Sequence, residues 1–386
     1  MICDKEKCTG CFACYNICPK NAIKMEEDEH GFIYPKINKE LCTNCNACGK
    51  VCPSIENISF TNPLVCYVAH VKDEEKRAQS TSGGIASLLS EYVINKNGIV
   101  YGAAFTKSRG VEHIRIDNIK DLEKLKGSKY VHSYIKDGFK NVLNDLKEDK
   151  EVLFVGTPCQ IAGLKEYLRK EYDKLYCVDL ICHGVPSQKY LKDELKNIEE
   201  EITRISFRSD EGFRLKVYSN DNLLRDSDIG DSTYYLGFMG ATFYRENCYS
   251  CQYAKNERIS DMTIGDFWGL GESSKLYKDK EKGVSVVLIN SEKGKKLFEN
   301  CKSDLIYEER EVDEAIRGNT QLREPSKKKK DYNIFYKNYI KDGFEKAYYK
   351  TDRLKKVKTK IKKFLKQNKM IYNLYMNFKR RKNGKK

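Results

Sequence analysis

The sequence predicts an α+β protein in three parts: a small cysteine-rich N-terminal domain, an α/β body with a mixed sheet, and a basic helical C-terminal tail. Three observations predict it. One cysteine pattern is written twice, as Cys8, Cys11, Cys14, Cys18-Pro19 and as Cys42, Cys45, Cys48, Cys52-Pro53. Short apolar runs at 151–155 and 175–181 are separated by a segment of helical period, the alternation of an α/β sheet. Of the 71 Lys and Arg, 23 fall in residues 325–386 against 4 Asp and Glu there. That excess is larger than the whole net charge of +15, so the body before it is mildly acidic.

Both cysteine copies read C-x2-C-x2-C-x3-C-P, a spacing recognised from bacterial ferredoxins that carry two 4Fe-4S clusters. Three cysteines at intervals of three wrap one face of a cubane, while the fourth has passed it and serves the other cluster. Cys8, Cys11, Cys14 and Cys52 are therefore assigned to one centre, and Cys42, Cys45, Cys48 and Cys18 to the second. Pro19 and Pro53 turn the chain after each fourth ligand. Zinc is the plainer alternative, but its ligands tend to come as two CxxC pairs, not interlocked triplets.

A chain of 386 residues, 40% hydrophobic, can bury a large core and holds more than one domain. No secretory apolar segment opens it, and no stretch approaches the roughly 20 apolar residues that span a bilayer. Of the sixteen cysteines, eight stand in ferredoxin spacing, and with no such signal they point to reduced thiolates and a cytoplasmic location.

In chain order, 22–25 and 32–37 read as short strands around the turn Glu29-His30-Gly31, and 57–63 as a linker. Domain 1–60 has little core of its own and depends on its clusters to fold. Ser80-Thr81-Ser82-Gly83-Gly84 precedes Ile85, Leu88, Leu89, Tyr92 and Val93, an amphipathic helix whose start suits a phosphate or a flavin edge, or is an ordinary hydroxyl N-cap. Asn97-Gly98 ends it and 99–105 is a strand. Gly127-Ser128-Lys129-Tyr130-Val131 sets a cation beside an aromatic ring, the plainer reading being a solvated loop lysine.

The run 151–155 leads into Gly156-Thr157-Pro158-Cys159-Gln160, a helix, the strand 175–181 and Cys182-His183-Gly184-Val185-Pro186. In this β-α-β unit Cys159 and Cys182 each lie past the carboxyl end of a strand, where α/β sheets bind ligands. With Cys248 and Cys251 they make four, proposed as a third 4Fe-4S site with structural zinc as the alternative. Cys3, Cys66, Cys177 and Cys301 read as ordinary thiols. The single tryptophan, in Asp266-Phe267-Trp268-Gly269, faces a cofactor or packs in a turn. Phe207 to Arg214 sets arginines at an anionic site or a charged hairpin tip, and 284–290 reads as a late buried strand. Beyond Pro325, Leu354, Val357, Ile361, Phe364 and Leu365, then Ile371, Leu374, Tyr375 and Phe378, form helical stripes among lysines. They suit an anionic membrane surface, an acidic partner, or packing on the body with a solvated lysine face. Nucleic acid fits least, because the rest of the chain offers no fold that binds it.

The series STSGG, GSKYV, GTPCQ, CHGVP, CxxC and DFWG, in this order, resembles the coenzyme F-420 hydrogenase/dehydrogenase β-subunit family in a form fused to a two-cluster ferredoxin. The resemblance covers roughly 1–310 and leaves 325–386 outside. It implies a flavin-binding domain in two parts, 61–145 and 146–324, with FAD close to a 4Fe-4S cluster. By motif match, Ser80, Gly83, Gly84, Ser128, Lys129, Tyr130, Thr157 and Pro158 become FAD contacts, and Cys159, Cys182, Cys248 and Cys251 cluster ligands. The basic tail departs from the family pattern and points to a substrate or partner at the inner face of a membrane, as in envelope polysaccharide metabolism.

The expected function is an iron–sulfur flavoprotein oxidoreductase that passes electrons between its clusters, FAD and a small organic substrate, deazaflavin-like or other. A redox partner protein or reduced ferredoxin supplies or takes the electrons. No catalytic acid or base is named, because hydride transfer at a flavin need not use one, and His183 could be a donor to cluster sulfur. The rivals are a non-catalytic electron-transfer subunit and an adapter that acts through its tail.

Overall fold

The computed structural model describes residues 2–106, 110–209 and 212–351. Helix α1 (Ala13–Ile17) ends the first cysteine loop, and β1 (Ile23–Glu27) and β2 (Ile33–Ile37) pair as an antiparallel hairpin about the turn expected at 29–31. The body follows as β3 (Val65–Val71), α2 (Glu74–Ala78), α3 (Ile85–Asn95), β4 (Ile99–Phe105), β5 (Val111–Ile116), α4 (Leu122–Leu125) and α5 (Gly138–Lys147). Next come β6 (Val152–Gly156), α6 (Pro158–Leu168), β7 (Leu175–Leu180) and α7 (Gln188–Glu194). A small antiparallel sheet of β8 (Arg204–Ser209), β9 (Gly212–Ser219) and β10 (Asn222–Asp228) leads to α8 (Thr233–Met239), β11 (Met262–Asp266) and β12 (Ser285–Ile289). The described chain closes with α9 (Glu292–Cys301), β13 (Leu305–Arg310), α10 (Val312–Gly318), α11 (Lys330–Asp342) and α12 (Phe344–Thr351).

The main sheet runs β13-β3-β12-β11-β7-β6-β4-β5. Its centre, β11, β7, β6 and β4, is parallel, and the strands on either side are antiparallel. The predicted β-α-β unit is β6-α6-β7. Along it the pleat alternates: Val152, Phe154, Leu175 and Cys177 point to the face covered by α5 and α6, while Leu153, Tyr176 and Val178 point to the face covered by α3 and α9. Burial on both faces is why these strands read as unbroken apolar runs. Cys66, Cys177 and Cys301 are buried thiols within these cores.

The N-terminal segment shares the α5–α6 core rather than owning one, since Phe12, Ala13, Ile33 and Val51 pack into it. The stretch read as a linker is pinned to the body: Thr61 N donates to Arg258 O and Arg258 N to Thr61 O, both at 2.8 Å. A further correction concerns 325–351. Phe335, Tyr339, Phe344 and Tyr348 are buried around Tyr190 and Phe243, with Lys337, Lys341 and Lys346 facing solvent. The change of character at Pro325 is a change of surface charge, not the edge of the packed body. The apolar stripe expected from Leu354 to Phe378 lies outside the described residues. Among the described residues, no helix is long and apolar enough to cross a membrane.

Candidate functional site

Strands β4, β6, β7 and β11 end on one edge of the sheet, and the loops leaving them enclose a cavity of about 890 Å³, the place where open α/β sheets take ligands and a size typical of small-molecule sites. Segments 80–82, 127–131, 156–157, 182–185 and 266–268 each contribute to its wall. Ser80, Gly84, Ser128, Lys129, Tyr130 and Thr157 line it; Gly83 and Pro158 do not. Gly83 is needed for packing, because a Cβ there would come within 2.3 Å of Ala69 O. Pro158 is buried as the first residue of α6, where a missing N–H costs nothing.

The hydroxyls before α3 are not helix caps. Gly84 is the N-cap, with φ +80° and no side-chain bond, while Ser80 Oγ donates to Lys76 O and Ser82 Oγ to Val284 O. Ile85, Ala86 and Ser87 of the first turn, whose N–H groups have no partner within the helix, lie on the cavity wall. Lys129 Nζ donates to the carbonyls of Leu125 (2.7 Å) and Lys126 (2.6 Å), and burial lowers its pKa to about 7.

Arg208, which the sequence set either at an anionic site or at a charged hairpin tip, ties three motifs together. Its Nε donates to Tyr130 Oη (2.7 Å), Nη1 to Thr81 O (2.7 Å) and to Asp266 (3.1 Å), and Nη2 also to Asp266. The guanidinium covers the Phe213 ring, which stacks on Trp268. Arg214 instead pairs with Asp226 and Asp228. His183 lines the cavity, and its pKa is lowered by burial, with Asp266 opposing and Arg208 reinforcing the shift.

Cys159 stands in the first turn of α6, Cys182 just beyond β7, and Cys248 and Cys251 in and after a 3-10 turn. The four gather closely enough to act on one another electrically. Burial pushes the thiols up, Cys159 to about 11 and Cys182 to about 12, and neighbouring cysteines of the set push them further. Left alone they are neutral thiols; ligation to a cationic metal centre is what would ionise them. Cys182 also lines the cavity, so the group borders the ligand space directly. Behind it, Arg258 and Asp179 form a buried ion pair at 2.9 Å.

In the N-terminal segment, Cys8, Cys11, Cys14 and Cys52 line one small pocket. Cys3 lines it too, a placement that spacing could not foretell. The neighbouring Cys3 thiol, then the Arg245 charge, hold the Cys8 pKa down against the opposing effect of burial. Gly10, at φ +66°, leaves the loop open where a Cβ would strike His132 at 2.8 Å and Arg245 at 3.3 Å. A loop held clear in this way, with its thiols converging, fits a cluster. Cys18, Cys45 and Cys48 form the second gathering, in which burial and then the charges of Cys18 and Cys45 raise Cys48. Cys42, half-buried, donates from its thiol to Asn44 (3.7 Å). Cys45 is exposed, whereas Cys8, Cys11, Cys14 and Cys52 are buried.

The buried group lies against α6, the helix that carries Cys159. A Cβ on Gly163 of α6 would lie 2.9 Å from Cys11 Sγ, and Tyr253 feels both Cys11 and Cys159. Among the described residues, no group of three or more His, Cys, Asp or Glu side chains is already set at the spacing of a single metal ion.

A family model described as coenzyme F420 hydrogenase/dehydrogenase, beta subunit N-term, matches residues 66–137, and the companion model for the C-terminal part of that same beta subunit matches 149–315. A 4Fe-4S dicluster domain model matches 7–55. The chain is 47% identical over 34 residues to an uncharacterized ferredoxin of Methanocaldococcus jannaschii, a match covering 9% of this chain and 44% of that protein's length. It is also similar to a chain of the F420-reducing [NiFe] hydrogenase complex from Methanosarcina barkeri, at 17% identity and a TM-score of 0.46, covering 69% of this chain and 93% of that one.

Proposed function

Because the chain belongs to the coenzyme F420 hydrogenase/dehydrogenase beta-subunit family and carries a 4Fe-4S dicluster domain, we propose that it is an iron–sulfur flavoprotein oxidoreductase. Its clusters exchange electrons with an organic substrate by way of FAD in the sheet-edge cavity. The observation that carries this reading is that five motifs spread from Ser80 to Gly269 border one cavity, and one of them brings Cys182 into its wall.

FAD supplies the exchange between two-electron organic chemistry and one-electron cluster chemistry. The residues that would hold it are Ser80, Gly84 and the first turn of α3 at an anionic portion, with Ser128, Lys129, Tyr130 and Thr157 around the rest. Lys129 has no carboxylate partner among the described residues and offers its charge to an anion. Arg208 keeps the Tyr130 and Asp266 walls at a fixed separation through its three-way bonding. Cys8, Cys11, Cys14 and Cys52 hold a buried cluster, Cys18, Cys42, Cys45 and Cys48 an outer one, and Cys159, Cys182, Cys248 and Cys251 a third beside the cavity. The exposed end at Cys45 is where a redox partner, such as a reduced ferredoxin, would meet the chain. The lysines beyond Pro325 suit an anionic membrane surface at the cytoplasmic face.

Anaerobic purification with iron, sulfide and flavin quantified tests the reading. About twelve irons and one FAD per chain are expected from three cubanes and one flavin, and Cys182→Ser should remove about four irons and leave the ferredoxin-type signals. Eight irons with no flavin would instead favour a plain electron-transfer subunit. Reduction of the bound flavin by a small organic donor, with no partner protein present, separates an enzyme from a shuttle.

A further inference from the structure

Arg245 is a buried charge without a carboxylate counter-charge among the described residues. It is 1% exposed. Its Nε donates to Cys8 O (2.7 Å) and Nη2 to Ile33 O (2.9 Å), and the guanidinium lies 4.3 Å from the Tyr34 ring centroid. Among the described residues no carboxylate pairs with it, and Nη1 is buried with no hydrogen-bond acceptor. Arg258, equally buried, behaves differently, with Asp179 at 2.9 Å and all its nitrogens bonded. Burying a cation is tolerated when an anion is buried with it, and burying a donor when an acceptor meets it. Both are missing on the same side of Arg245, the side that faces the cysteine loop: Nη1 lies 3.3 Å from where a Cβ on Gly10 would stand. The next hydroxyl on that loop, Thr9 Oγ1, is likewise buried without a partner.

We propose that Arg245 is a redox-tuning residue whose Nη1 donates to a sulfur of the 4Fe-4S cluster held by Cys8, Cys11, Cys14 and Cys52 and whose charge is that cluster's buried counter-ion. This rests on the ligand assignment made above. Four thiolates give the cluster a net negative charge, and reduction adds one electron and so one more. A fixed cation with a hydrogen bond to sulfur therefore stabilises the reduced form more than the oxidised form and raises the potential. The outer group, with Cys45 exposed, is screened by water instead. Arg245 accordingly holds the inner cluster's potential above the value that burial alone would leave it.

The test is an EPR-monitored redox titration of the full chain, purified anaerobically with iron counted. For Arg245→Met the expected result is that one ferredoxin-type midpoint falls while the other holds and the iron count stays, with Arg245→Lys in between. Unchanged midpoints with iron retained would overturn the proposal. If Arg245→Met loses iron, pulsed EPR of the reduced native protein labelled with 15N-arginine decides: a nitrogen coupling to the cluster supports the proposal, and its absence overturns it. A native protein with no ferredoxin-type signal at all would defeat the ligand assignment itself, and the proposal with it.

Discussion

Replacing Arg258 with methionine strands a carboxylate in the core. Asp179 is fully buried, its Oδ1 already lacks a partner, and burial pushes its pKa up while the Arg258 charge holds it down. Arg258→Met removes that charge, the 2.9 Å bond to Asp179, and the bonds to Thr263 Oγ1 (3.1 Å), Tyr253 O (3.0 Å) and Lys255 O (3.1 Å). Breaking one side of a buried pair costs about 3–5 kcal/mol, a large part of the roughly 5–15 kcal/mol that holds a protein folded. At about 2 °C per kcal/mol, the low end for long chains, the melting temperature of the cluster-loaded protein should fall by roughly 6–10 °C, read anaerobically by circular dichroism. The double change Asp179→Leu with Arg258→Met should recover most of the loss, because no charge is then left unpaired. The pair also braces the third cysteine group, since Asp179 is on β7 before Cys182 and Arg258 follows Cys251. The single variant should therefore also hold less iron there. A drop under about 2 °C, or a double variant no better than the single, would refute the reasoning.

Gly163→Ala drives a methyl to 2.9 Å from Cys11 Sγ; overpacking of this kind costs about 1–3 kcal/mol, and iron analysis should show a preferential loss from the buried ferredoxin cluster. Lys129 makes anion binding pH-dependent. Its pKa falls from 10.5 to about 7 on folding, so its destabilising effect is absent above the unfolded value, grows as pH drops through that window and is full below about 7. An anionic ligand restores the proton, so its affinity is highest below about pH 7 and declines above, by at most about tenfold per unit; titration calorimetry with FAD at several pH values should show this, and Lys129→Met should flatten it. Cys3→Ala removes the strongest influence lowering the Cys8 pKa, so cluster reconstitution near neutral pH should slow without changing the final iron count, followed by absorbance.

The features legible in the sequence were those whose partners are near in the chain or whose burial is two-sided. Cluster spacing is a property of neighbouring residues, so Cys8 to Cys52 could be grouped directly, and 151–155 and 175–181 announced central strands because both faces are covered. Arg208 was legible only as one of two arginines at an anionic site or a hairpin tip, and Arg245 was not legible as a site residue. Their roles depend on Thr81 and Cys8, 127 and 237 positions away, and a lone arginine carries no mark of where it will be buried. The helices at 330–351 carry the period, in Tyr332, Phe335 and Tyr339, but the surrounding lysines drew attention to solvent rather than to the aromatic cluster beneath. Gly83 and Pro158 belong to motifs that border the cavity, yet packing at Ala69 and the geometry of a helix start account for them.

His30, at the tip of the N-terminal hairpin, lies flat against Tyr336 with ring centres 3.4 Å apart, shares a 2.9 Å hydrogen bond with Tyr190, and through its carbonyl receives the hydroxyl of Ser187. Together with the anchorage at Thr61, this leaves the iron-carrying module no arm to swing. On the proposed function, tunnelling between its centres and a flavin in the cavity would cross frozen gaps, so glycerol added to the buffer should not slow internal transfer. What solvent viscosity can retard is only the arrival and departure of whatever collides with the outer rim.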